Sequence, residues 1–593
     1  MRFIFALFSF VVALGLFGVG FAQRTFLSGP ESFTASTVSL TGNAVTIIDG
    51  ATLTALAGRQ TLSLAGSAAI VAAYGRSTDV RAWLGDTRHT TINYDAANKK
   101  LVSRDLPGVA TTVPTPVGSD LWLGEFTGRK RLNIPLTVPK EMSVIIVSDG
   151  TASAPSTVAI SWPLNNRTPW SVPLMLAGAL VLLVSLGLLV WALIHRRRTR
   201  GPRRKSIRGT KAPRMPRRPR RRVYRATTPS VLPVVRGRRS TRRMLAAGPI
   251  VLVSVLLSTG CASLSPAATS PIAVPSPSGS GAGKGGAAVI EHLPVAVVGQ
   301  IRTIVASIAA IAVAGDISMD PKTLAPRFTG PALAERAGNY AARSKDSAYA
   351  APVVIPAGPV KVTLPQQAVP QPNSWPRAIF TVVQSTAVPA VAPIALILIQ
   401  QTPRENYKVH YEIALSAALP VLAPEGIGAP RLSADTKLLS LAPEKLIPAY
   451  LDVVSQGAAS VAAPLFDLSK DTALAEVGID KQNAVKAGLP AKLAGSFVTA
   501  AGAESVIALG SNAAGALVAA NIIQSETVTP TSPGDTANPT GAVKSLSGVA
   551  GTTKGTVAEY DYQLLFYIPP IGSTEKITLL GFSGGIVNAK EVP

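Results

Sequence analysis

The chain has 593 residues, a net charge of +25, 47% hydrophobic residues and a single cysteine. That length exceeds one domain, and one cysteine excludes both an intramolecular disulfide framework and a multi-cysteine zinc site. The basic excess resembles that of a nucleic-acid binder only until it is located. Arg196–Arg243, forty-eight residues, holds twenty-one Lys or Arg and no Asp or Glu. Residues 1–195 carry 14 basic and 10 acidic side chains, and residues 244–593 carry 22 of each.

Met1-Arg2 followed by Phe3–Phe21 is a short positive segment ahead of a long apolar one, and Gly20-Phe21-Ala22 would permit cleavage after Ala22. The run is also about long enough to stay as an anchor. Residues 1–22 are therefore a signal peptide or an N-terminal anchor, and both would export the segment from Gln23 onward. Residues 28–165 break into short runs of strand character at Ser36–Leu40, Ala44–Ile48, Gln60–Leu64, Ala69–Ala73, Val80–Leu84, Leu121–Phe126, Leu132–Val138, Met142–Val147 and Thr157–Trp162. Turn residues punctuate them, and no amphipathic helix stands out. This pattern predicts an antiparallel sandwich or barrel, with Trp83, Trp122 and Trp162 in or beside its core. His89, with Asp86 and Asp95 nearby, reads as a surface histidine rather than a metal or catalytic centre.

Pro173–Ile194 (domain 173–194) is uncharged and would measure about 33 Å as a helix, enough to cross a bilayer. Trp170 and Trp191 fit membrane-interface anchors, and His195-Arg196-Arg197-Arg198 stops transfer. The basic run 196–243 then reads as a short disordered cytoplasmic loop, resting on anionic inner-leaflet lipid at about 1 kcal/mol per basic residue near the surface. Tyr224 is its only aromatic residue, so stacking groups for nucleic acid are missing. Residues 245–261 return the chain outward as a transmembrane helix or a lipoprotein-type signal. Leu257-Ser258-Thr259-Gly260-Cys261 resembles a bacterial lipoprotein signal in which Cys261 would be lipidated, although Ser258 stands where that pattern prefers leucine. Residues 262–286 form a flexible linker rich in Ser, Pro, Ala and Gly.

The remainder divides into α+β unit 1 (287–441) and α+β unit 2 (442–593). Val295–Ala314 is apolar enough to suggest a further span, but Gln300 and Arg302 inside it favour a buried helix of a soluble domain. A helix at Pro331–Ala342 precedes strands around Val360–Leu364, Arg377–Gln384, Ile394–Gln401 and Tyr407–Leu415. Helices at Pro443–Ser455 and Gln482–Ala500 precede strands around Ser505–Leu509, Ala516–Ile523, Val557–Tyr567 and Lys576–Phe582. Helices first and antiparallel strands after, twice, is the order of cone-shaped units resembling nuclear transport factor 2. The expected fold class is thus a multidomain membrane protein: an N-terminal all-β sandwich-like external domain, transmembrane helices, and a C-terminal α+β external domain.

Several stretches resemble an uncharacterised family of actinobacterial envelope proteins. They are Ser77-Thr78-Asp79-Val80-Arg81-Ala82-Trp83-Leu84-Gly85-Asp86, Gly118-Ser119-Asp120-Leu121-Trp122-Leu123, Gly330-Pro331-Ala332-Leu333, Ser374-Trp375-Pro376-Arg377 and Pro403-Arg404-Glu405-Asn406-Tyr407-Lys408-Val409-His410-Tyr411. The apolar spans around the basic run imply a multi-pass plasma-membrane protein with both large domains outside the cytoplasm, and relatives in the family sometimes carry a glycosyltransferase label. The residues do not support that label: the sequence has no Asp-x-Asp pair and no glycine-rich phosphate loop opening a helix. Glu335, Arg336, Asp346, Arg377, Arg404, Glu405, His410 and Glu412 could supply acid/base chemistry, with His410 and Glu412 on one strand face two residues apart. The plainer reading places His410 and Glu412 on a solvated sheet face, Pro403–Asn406 in a polar hairpin turn, and Asp467, Asp471 and Glu476 at a solvated helix end. No catalytic, cofactor or metal residue is assigned. The expectation is a non-catalytic binding or scaffolding protein of the cell envelope that contacts another envelope protein or wall glycan. The alternative is an extracytoplasmic enzyme of cell-wall or lipid-linked glycan metabolism.

Overall fold

The computed structural model describes residues 2–26, 29–38, 42–164, 170–198, 293–369, 375–385 and 391–593. The basic run beyond Arg198, the expected span at 245–261 with Cys261, and the linker 262–286 lie outside these residues. Residues 13–180 and 290–593 belong to one compact unit.

Among the described residues, three helices are long and apolar enough to cross a membrane: Ile4–Thr25, Ser171–Arg197 and Val298–Ser318. The first two lie within α1 (Arg2–Thr25) and α3 (Ser171–Arg198), which flank the N-terminal domain. Small residues recur every seven positions on each helix: Ala6, Ala13 and Gly20 on α1, and Ser171, Gly178, Ser185 and Ala192 on α3, all buried. A Cβ on Gly20 would lie 2.8 Å from Met175 Cγ and 2.9 Å from the Ser171 carbonyl, and one on Gly178 would meet Phe17 N at 2.8 Å. The backbones approach closely because no side chain intervenes, as apolar helices do when they associate through small residues.

The N-terminal domain is an eight-stranded sheet of β1 (Ser32–Val38), β2 (Val45–Asp49), β3 (Gln60–Arg76), β4 (His89–Asp95), β5 (Lys100–Leu106), β6 (Gly124–Leu136), β7 (Met142–Val147) and β8 (Thr157–Pro163). The order is β1-β8-β3-β7-β2-β4-β5, with β6 also on β3. The outer strands β1 and β5 approach each other, and Phe33, Tyr94 and Trp162 pack at 5.2–6.3 Å between ring centroids. One face encloses Ile48, Leu62, Ile92, Ile146, Ile160 and Trp162. The other carries Val45, Val71, Trp83, Trp122 and Val147. All three expected core tryptophans are buried.

Three local expectations fail here. Val80–Leu84 belongs to a helix, α2 (Ser77–Leu84), that buries Val80, Trp83 and Leu84 at i, i+3 and i+4. Over five residues, alternation and helical spacing share the pair Val80/Leu84, so periodicity could not separate them. The runs Gln60–Leu64 and Ala69–Ala73 merge into the long β3, whose register with β6 shifts between Ala65 and Ala69. Finally, β2 and β4 pair in parallel.

The C-terminal domain opens with α4 (Val298–Ser318) and α5 (Gly330–Arg343). The strands β9 (Val360–Pro365), β10 (Arg377–Val383), β11 (Ile394–Gln400) and β12 (Lys408–Leu415) come after them. Next are α6 (Pro443–Gln456), α7 (Ile479–Gly488), β13 (Leu493–Ala501), β14 (Ile507–Gly510), β15 (Ala516–Pro530), α8 (Gly541–Ser547), β16 (Thr556–Ile568) and β17 (Thr578–Glu591). The helix expected over Gln482–Ala500 ends at Gly488, because Pro490 cannot continue it, and Leu493–Ala501 becomes a strand with alternating burial.

Both runs of strands join one nine-stranded sheet, β13-β15-β16-β17-β12-β11-β10-β9, with β14 on β15. The last strand of each run forms the junction, through Ala414↔Phe582 and Leu415↔Gly581 only. Alternation along the strands yields three cores. Ile379, Leu396, Leu398 and Val409 pack under α4. Val518, Ile522, Leu564 and Phe566 pack under α6. The opposite faces share a third core, where Phe380, Ile397, Tyr411 and Ile413 meet Leu509, Leu517, Leu565 and Leu580. The layers therefore run helix, sheet, sheet, helix. Ile301, Ile304, Val305, Ile308 and Ala312 of α4 are buried in this domain, as expected for Val295–Ala314.

Candidate functional site

The acids and bases singled out in the second half fall into two groups. The first lies between α4, α5 and the sheet. Arg336 is 3% exposed. Its Nε and Nη2 donate to both oxygens of Glu412 at 3.1 and 3.0 Å, Nη1 to Asp316 at 2.7 Å, and Nη2 to the Val353 carbonyl at 2.8 Å. Tyr340 donates to the same Asp316 oxygen at 2.6 Å. Burial opposes the guanidinium charge, but Glu412 and Asp316 outweigh it and keep Arg336 cationic. Glu412 is raised above the usual carboxylate range by burial, with Arg336 pulling the other way.

Glu335 sits one residue earlier on α5 and faces β16. It accepts from Gln563 Nε2 at 2.5 Å, while Gln563 Oε1 accepts from the Glu412 N–H at 2.8 Å. Burial, then the neighbouring Glu412 charge, pushes Glu335 up to about 8. It is therefore largely protonated at neutral pH. Asp561, two residues from Gln563, is pushed up to about 6 by burial and is held by Asn521 Nδ2 at 3.0 and 3.1 Å.

His410 and Glu412 are buried, not solvated. The reason is a β-bulge: Val409 faces Leu398 and Tyr411 faces Ile397, which leaves His410 as the extra residue. His410 packs against Gly330, whose φ of +57° and 2.5 Å Cβ clearance admit only glycine. Its nearest carboxylate is Glu504 at 3.8 Å, while Glu412 is engaged by Arg336. Burial lowers the His410 pKa. Asp346 makes a local turn contact to the Ala348 N–H, and Glu405 is exposed. Asp467 pairs with exposed Lys470, but Asp471 is drawn inward to the Tyr450 hydroxyl at 3.1 Å.

The second group joins the two domains. Arg377, at the start of β10 and 2% exposed, reaches Asp79 of α2 at 2.6 Å and lies 3.7 Å above the Trp375 ring. Arg76 is 3.5 Å from the same carboxylate and donates to the Val295 carbonyl at 2.7 Å. Arg327 grips Asp120 through two contacts of 2.5 and 3.1 Å, and Asp120 also accepts the Tyr407 N–H at 2.8 Å. Arg404, in the expected hairpin turn, donates to the last carbonyls of α2, Trp83 at 2.8 Å and Leu84 at 3.0 Å. A cation is favoured at that helix end. Gly85, at φ +60° and ψ −134°, ends α2 beside it. Asn406 and Gln300 complete the contact with the Gly118–Trp122 turn.

Sequence reasoning named Arg377, Arg404, Gln300 and Asn406 without their partners and missed Arg327. The available signal was polar residues inside apolar runs, such as Asp79 before Val80 and Arg327 before Phe328. Four stretches that carried the family resemblance, 77–86, 118–123, 374–377 and 403–411, supply most of this contact through their described residues.

Two open depressions of about 430 and 400 Å³ occur elsewhere, one beside Lys361, Gln384 and Leu419, the other beside Asn43, Arg88 and Asp105. Neither is lined by Glu335, His410 or Glu412. His89 is half-buried and contacts the Thr87 carbonyl through Nδ1. Among the described residues no cluster of three metal-binding side chains forms.

The fold and site describe a β-rich domain docked on an α+β domain beside apolar helices. Residues 294–591 match the family described as Domain of unknown function (DUF8094), and the chain belongs to that family. No curated protein and no solved structure matches the chain.

Proposed function

We propose that the protein is a multi-pass, membrane-anchored protein of the cell envelope whose two large domains lie outside the cytoplasm and act by binding rather than by catalysis. The observation that carries this reading is where the candidate catalytic charges go. Arg336 and Glu412 are consumed in a buried network, and Arg377 and Arg404 are consumed in docking. Each half of the α+β domain would be of the cone-shaped type resembling nuclear transport factor 2.

Topology supports the location. If α3 crosses the bilayer, Arg196-Arg197-Arg198 mark its cytoplasmic end, and Trp170 and Trp191, 69% and 54% exposed, stand near the two interfaces. The docked contacts support a reading in which both domains lie on one face and the chain crosses back between them. Leu245–Gly260 is the apolar segment there. Partners of this surface would be another envelope protein or wall glycan.

One feature favours the enzymatic alternative: burial pushes the Glu335 carboxyl up to about 8, the range in which a carboxylic acid can serve as a general acid near neutral pH. The full-length protein in liposomes, given a polyprenyl-phosphate-linked sugar, distinguishes the two. The expected result is no sugar transfer or release, with a discrete envelope partner captured by crosslinking in intact cells. Turnover that disappears in Glu335→Gln would overturn the binding reading.

A further inference from the structure

We propose that the face between the two domains is a subunit-type interface: the N-terminal β-domain is a receptor for the DUF8094 domain and holds it without help from the chain that connects them. This goes beyond the binding role above and stands even if that role is wrong.

The recognition is chemically complementary. The C-terminal domain presents guanidinium groups on three separate segments, Arg327, Arg377 and Arg404, spaced along its sequence but convergent in space. The β-domain answers with two carboxylates, Asp79 and Asp120, and with the carbonyl end of α2. Guanidinium forks suit such bidentate acceptors better than an ammonium would. Around the charges lies an apolar centre in which Trp375 of the C-terminal domain packs against the Trp83 and Trp122 cluster. Buried aromatic and arginine anchors at the middle of a contact are the signature of an interface that carries its own affinity.

The contact is also independent of the connection. Its residues lie between Arg76 and Trp122 on one side and between Val295 and Tyr407 on the other, and the Asp79–Arg377 pair is separated by 298 positions. The family match begins at residue 294, just where the docked domain begins. The unit that defines the family is therefore the unit that docks, without the β-domain or the basic run. A cut anywhere in 199–292, including one before Cys261, would leave two pieces in one complex.

The test uses the whole chain carrying Cys261→Ser, a site-specific protease sequence inserted within 265–286 and an affinity tag at the C-terminus. The protein is purified in detergent, cut, and captured by its tag. The N-terminal piece is expected to co-elute in equal amount through gel filtration; separation of the two pieces in the unsubstituted protein would overturn the proposal. Arg377→Asp, which opposes Asp79, is expected to weaken retention by at least about 30-fold, since losing one partner of a buried interfacial pair has that effect. Arg404→Ala alters only an exposed loop position and covers the case in which Arg377→Asp fails to fold. Retention undiminished in both variants would overturn the assignment of this face.

Discussion

Arg336 shows how a residue that looks catalytic in a sequence becomes structural in a fold. Its donors are satisfied by Glu412, Asp316 and a backbone carbonyl, so truncation strands the buried Glu412 and the half-buried Asp316 rather than one surface charge. Removing one partner of such a network costs about 3–5 kcal/mol, and Arg336→Met should lower chemical-denaturation stability by that amount. Glu335 behaves in the opposite way. Its folded pKa, about 8, lies above the ordinary value of 4.5, so the folded state holds a proton that the unfolded chain releases. The stability from that proton is complete below about pH 4.5 and is lost as pH rises toward 8, at up to about 1.4 kcal/mol per pH unit for one group. Glu335 keeps some solvent contact, so the slope should be smaller. Glu335→Gln retains an amide partner for Gln563 without the titration. Its melting temperature should vary less than that of the unsubstituted protein between pH 5 and 8, and an unchanged profile would show that Glu335 is not the group responsible.

At the scale of elements, the seam between α1 and α3 carries a prediction about whether residues 1–22 stay as an anchor. A cleaved leader has no reason to fit its neighbour, whereas Gly20 and Gly178 are where the partner backbone comes closest. The expected outcome is that mass spectrometry of the purified protein finds residues 1–22 retained rather than a chain beginning at Gln23. Gly20→Leu should separate the helices and cost about 1–2 kcal/mol of their association, seen as a lower melting temperature in detergent. A chain beginning at Gln23 would rule out this pairing in the mature protein. The bulge at His410 is a second decision at this scale. One extra residue re-aims the strand, so His410 meets Gly330 while Glu412 meets Arg336.

At the scale of the whole molecule, docking carries a prediction about topology. Val109 of the β-domain and Val461 of the C-terminal domain are 87% and 92% exposed. In a Cys261→Ser background, Val109→Cys and Val461→Cys should both react with a membrane-impermeant maleimide on intact cells. Labelling of one without the other would place the domains on opposite faces and contradict the docked arrangement.

Much of this architecture was legible in the chain itself. Apolar helices long enough to cross a membrane, the location of the charge, the β-rich first domain and the helices-then-strands order of the second half all arise from local hydrophobic period and composition. Those signals act over a few residues and need no knowledge of the rest. The joining of the two strand runs into one sheet, the burial of His410 and Glu412, and the meeting of Asp79 with Arg377 depend on contacts between residues far apart in sequence. A buried ion pair has no local period: each partner alone looks like a surface charge, and only the fold removes both from water together.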